Sequence, residues 1–109
     1  MQKQVKLTVA ANATDEVVEL GFVPDRIVAI NRTSLYTVEW NKNLADDTFY
    51  EITDAGARTL ESAALVTLID GSDKTNNITS SFGFIFKTRA NVQDTLGEIV
   101  DIVAFRDDL

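Results

Sequence analysis

Alternation of apolar and polar residues dominates this chain, and a period of two confines most of it to strands. In the first run, Val5, Leu7 and Val9 share one face, and Gln4, Lys6 and Thr8 share the other. Val18, Leu20 and Phe22 repeat the pattern against Val17 and Glu19. Gly21, Pro24 and Asp25 then interrupt it with residues that turns select. Arg26 to Ile30 is apolar on both faces through Ile27, Val28, Ala29 and Ile30, the expected pattern of a central strand covered on both sides. Asn31, Arg32, Thr33 and Ser34 make a short polar hairpin connector. Beyond it, Tyr36, Val38 and Trp40 alternate with Leu35, Thr37 and Glu39.

Asn41 to Asp47 is a polar loop, and Thr48 to Thr53 is a short strand with Tyr50 and Ile52 opposed to Phe49 and Glu51. Within residues 54–69, Leu60, Ala63 and Ala64 have helical spacing, whereas Thr59, Val66, Thr67 and Ile69 prefer strand. Two short strands around a loop are expected there. Asp70 to Ser80 is a long polar loop suited to partner contact. Phe82, Phe84 and Phe86 alternate cleanly, and Glu98 to Phe105 is apolar on both faces except at Asp101. About eight short strands in 109 residues predict a single-domain, all-β antiparallel sandwich or small barrel. Residues 1–109 form that one domain, with residues 1–9 as a pairing arm or edge strand. A chain this long buries roughly 65% of its unfolded surface, enough for one core without staples. With 45% hydrophobic and 25% charged residues, its composition is that of a folded domain.

Several chemistries fall away on composition. The chain has no cysteine and no histidine, so it lacks thiolate ligands, disulfides and the commonest general acid–base group. Net charge is −7, and the basic residues are scattered from Lys3 to Arg106, without the clustering that phosphate backbones require. No nucleic-acid or membrane partner is expected. The N-terminal MQKQVKLTV alternates and does not form the apolar core of a signal peptide. Charge is uneven: Lys3 and Lys6 open the chain, while Asp94, Glu98, Asp101, Asp107 and Asp108 face Arg106 near its end. Such ends can meet between neighbouring subunits, or serve solubility alone.

The carboxylates come nearest to a reactive site. Asp46–Asp47 lie in one loop, and Asp70-Gly71-Ser72-Asp73 lie in another beside Asn76 and Asn77. The spacing departs from a calcium loop, because Gly71 follows Asp70 directly, so an Asp-Gly turn is the simpler reading. No carboxylate pair is singled out for glycoside chemistry. Serine and threonine have no activating base, and no glycine loop cradles phosphate. The chain is read as a non-enzyme without metal or cofactor. Three Asn-x-Thr matches, at Asn12, Asn31 and Asn77, are read as coincidental. The aromatic stripes Tyr36/Trp40 and Phe82/Phe84/Phe86 are expected in the core; a stripe facing outward would serve a subunit interface.

Leu20 to Trp40 resembles a pattern in small structural proteins of tailed-bacteriophage particles. Gly21, Phe22 and Pro24 match a G-F-x-P turn, Ile27 to Asn31 a buried strand, and Trp40 the aromatic of the following strand. Thr53 to Leu60, TDAGARTL, is similar to their Gly–Arg–Thr–Leu turn, and Ile102 to Arg106, IVAFR, to their closing strand. The resemblance is strongest to capsid decoration, or head-cement, proteins. It implies a homo-oligomer, with a trimer favoured, made in the bacterial cytoplasm. That oligomer would bind the major capsid protein on the outside of a mature shell and stabilise it by bridging subunits. The residues expected to make contact are Gln2, Lys3, Gln4, Val5, Lys6 and Leu7 at the N-terminus, with Asp73, Lys74, Asn76 and Asn77 in the long loop. Other expectations are a neck, tail or fibre-base component, and a receptor- or carbohydrate-binding module using the loops 41–47 and 70–80.

Overall fold

The structure is a computed structural model that describes residues 2–70 and 82–107. In chain order the strands are β1 (Gln2–Ala10), β2 (Glu16–Glu19), β3 (Arg26–Asn31), β4 (Thr37–Asn41), β5 (Phe49–Ile52), β6 (Arg58–Glu61), β7 (Val66–Ile69), β8 (Gly83–Phe86) and β9 (Ile99–Asp107). They form two antiparallel sheets, one of six strands ordered β1-β9-β3-β4-β5-β6 and one of three ordered β2-β8-β7. This is a β-sandwich of unequal layers, and no helix occurs among the described residues.

The alternation sets what each sheet buries. Val100, Ile102 and Ala104 of β9 stand beside Val9, Leu7 and Val5 of β1, and beside Asn31, Ala29 and Ile27 of β3. Val38 and Phe49 continue this inner face, while Val18, Phe84 and Phe86 of the small sheet close over it. The Phe84 and Phe86 rings meet edge to face at 6.2 Å, the arrangement their quadrupoles favour. Phe84 and Phe86 are fully buried, Tyr36 and Trp40 pack partly buried against the core, and Phe82 is 44% exposed. Gly83 allows the two small-sheet strands to meet. A Cβ there would stand 2.0 Å from the Val18 carbonyl oxygen, so no side chain fits without displacing β2.

Residues 54–69 hold β6 and β7. The β5–β6 hairpin turns at Gly56, whose φ of +87° suits glycine best. Thr53 N–H donates to the Ala57 carbonyl at 3.0 Å across it. One expectation needs correction. β3 is central in its sheet, between β9 and β4, but among the described residues it is covered on one face only. Ile27 and Ala29 are buried, while Val28 is half-buried and Ile30 is 38% exposed. Among the described residues the second layer has three strands and lies on one side. The outward apolar residues are screened by neighbours on their own face, as where Arg26 stacks over the Phe105 ring at 5.1 Å.

Three buried polar side chains tie the connection between β8 and β9 into the sandwich. Asn31 donates from Nδ2 to the Val92 carbonyl at 2.9 Å, and its Oδ1 accepts from the Thr33 and Ser34 N–H groups. Gln93 donates to the Thr14 carbonyl at 2.8 Å and accepts from the Asn12 N–H at 2.6 Å. Glu51 accepts two bonds from Arg89, at 2.9 and 3.1 Å. Each therefore recovers the hydrogen bonding lost on leaving water.

Candidate partner-binding surfaces

Gln2 to Leu7 all lie in β1, an edge strand whose inner neighbour is β9. The Ala11 N–H donates to the Glu98 carbonyl at 2.6 Å, and the register continues through Val9↔Val100, Leu7↔Ile102 and Val5↔Ala104. In an antiparallel ladder bonded positions alternate, so the odd residues of β1 bond to β9. The even residues Gln4, Lys6, Thr8 and Ala10 turn their N–H and C=O groups away from it. Among the described residues no strand pairs with that outer side. The result is a long hydrogen-bonding edge bearing one lysine, Lys6, among its outward-bonding positions.

The start and end of the chain meet within one molecule as β1 and β9, but the lysines of β1 do not stand opposite its acids: Lys3 is opposite Arg106 and Lys6 opposite Val103. Asp73, Lys74, Asn76 and Asn77 lie outside the described residues.

Sequence reasoning missed the outer face of the six-stranded sheet. Lys6, Val103, Val28, Glu39, Tyr50 and Leu60 form one row across all six strands. Thr8, Asp101, Ile30, Thr37, Ile52 and Arg58 form the next. Leu60 is 57% exposed and Ile99, beside these rows on β9, is 41% exposed. The signal was present in β3 and β9, where apolar residues occupy both faces, and it pointed to a covering layer that the described residues do not supply.

Two ion pairs form on this face. Arg26 donates to Glu39 at 2.7 Å, and Arg32 donates two bonds to Asp101, both at 2.8 Å. The Arg32 hydrogen bond holds the Asp101 carboxyl below its ordinary range, and Asp101 in turn raises Arg32. At the small sheet, the Thr88 backbone N–H, followed by Lys87, lowers Asp15. At the edge of the core, half-buried Arg89 bridges Glu51 and, at 3.4 Å, Glu61, while its guanidinium stacks over Phe49 at 5.1 Å. Its hydrogen bond to Glu51 raises its pKa above the usual value. These are structural ion pairs. Among the described residues, no group of three or more acidic side chains is placed to hold a metal ion.

A cleft of about 420 Å³ opens where the two sheets part, between the β4–β5 loop and β7. Trp40, Leu44, Val66 and Leu68 supply its apolar lining, and Asp46 and Asp47 stand at its rim. Leu44, an apolar residue inside a polar loop, was the available sequence signal for it.

No family model matches this chain, and neither a curated protein nor a solved structure matches it.

Proposed function

We propose that this protein is a decoration, or head-cement, protein of a tailed-bacteriophage capsid. It binds the outside of the expanded shell and stabilises it by bridging capsid subunits. The observation that carries the reading is a six-stranded face, uncovered among the described residues, bordered by a nine-residue edge strand with no outer partner among them. A face of this kind offers apolar contact area, and the edge offers backbone hydrogen bonds for β-augmentation. The turn and strands on which the resemblance rests, Gly21 to Trp40, frame the middle of that sheet.

Area makes the role feasible. A standard interface buries about 800 Å² per partner, roughly an eighth of the 6352 Å² accessible surface. Binding the expanded lattice alone stabilises that lattice by mass action. An acidic chain of net charge −7 suits a position on the outside of the shell, away from packaged DNA.

Co-sedimentation with expanded and unexpanded shells of the phage that encodes it tests the reading. Saturation on expanded shells only, at a copy number set by the lattice, is the expected result. A protein that pellets with neither shell is not a decoration protein. A few copies per intact particle would place it at the neck or tail.

A further inference from the structure

The cleft beside β7 has a second property, which does not depend on the capsid reading. β7 is the outer strand of the three-stranded sheet. The Lys87 N–H donates to the Leu65 carbonyl at 2.8 Å, and the ladder continues through Thr67↔Ile85 and Ile69↔Gly83. Leu65, Thr67 and Ile69 are therefore the positions bonded to β8. Val66 and Leu68 point their N–H and C=O groups away from β8, into the cleft. Among the described residues no strand pairs with that edge.

The side chains at the same place are arranged around this edge. Val66 and Leu68 stand level with the buried Phe86 and Phe84, so an added strand would continue an apolar inner row. Trp40 and Leu44 lie across the opening from that row. Lys42 at the rim already pairs with Asp25 at 3.4 Å. Asp46 and Asp47 are exposed, and neither belongs to an ion pair among the described residues.

We propose that this cleft takes an extended peptide segment of another protein, added beside β7 as a fourth strand. The segment is apolar where it faces Trp40 and carries lysine or arginine where it meets Asp46 and Asp47. Backbone hydrogen bonds to Val66 and Leu68 supply affinity, and the apolar slot and acidic rim supply selectivity. The rim charge and the net charge of −7 disfavour a second copy of this chain as the occupant.

Trp40 is the only tryptophan of the chain, so its fluorescence reports occupancy directly. Three synthetic peptides are titrated into the full chain. One alternates valine with lysine, a second has glutamate in place of lysine, and a third is the lysine peptide N-methylated along one edge. The expected result is a saturable emission shift with the lysine peptide alone. Asp46→Asn with Asp47→Asn weakens that binding about tenfold, the scale of two exposed ion pairs, while the thermal midpoint stays in place. No response to the lysine peptide overturns the proposal. So does an equal response to the glutamate or N-methylated peptide, or an affinity that the double substitution leaves unchanged.

Discussion

At the residue scale, the Glu51–Arg89 ion pair decides more than any surface charge. The Glu51 side chain is 8% exposed and that of Arg89 is 26% exposed, so removing Arg89 strands the Glu51 carboxylate away from water. Arg89→Met is expected to cost about 3 kcal/mol, because a buried carboxylate then lacks its donor. Replacing both, as Glu51→Leu with Arg89→Met, should recover most of that loss, since neither charge is then desolvated. Denaturant midpoints of the two variants and the parent check this; a double variant no better than the single one would show that the loss comes from packing against Phe49. None of this was legible in the sequence. Glu51 alternates correctly within its strand, but nothing in that pattern says that it faces inward, and its partner lies 38 residues away. Ion pairs of long sequence separation leave no local signature.

At the scale of the element, β1 stabilises the fold and also offers a docking edge, and the two roles use different residues. Its odd positions bond to β9, and Leu7 and Val9 pack against the core. Removing the strand would destabilise the sandwich along with any contact it makes. Lys6→Pro separates the roles, since the lost N–H is one that β9 does not use, and edge strands accept proline at such positions. The folded protein should keep its thermal midpoint within a few degrees, and shell binding should fall if the edge is the docking element. Unchanged co-sedimentation would move the contact to the sheet face. The strands themselves were largely legible, because period-two alternation survives wherever one face is buried. Coverage was not. Ile27 to Ile30 reads as buried on both faces, and only the unequal number of strands in the two layers shows that one face is open among the described residues.

At the scale of the whole molecule, the paired carboxylates make stability depend on pH. Asp101 and Asp15 are both held below their ordinary value of 3.8. The folded state therefore binds fewer protons than the unfolded chain as pH falls through that value, and acid favours unfolding. Their contribution is complete above 3.8 and is lost below it as each folded carboxyl takes up its proton. Acidification also relieves repulsion in a chain of net charge −7, so a single melting curve mixes the two effects. The difference between the parent and Asp101→Asn isolates the first. The gap in thermal midpoint should be widest near neutrality and close as pH drops below about 4; a gap that ignores pH would show that the Arg32–Asp101 pair adds nothing to stability. The order of the large sheet has another consequence, for synthesis on the ribosome. The strand between β1 and β3 is β9, so the two earliest strands of that sheet wait, unjoined, for the last one to be made. Pairings that span nearly the whole chain form slowly, and the sandwich can close only after translation has passed Asp107.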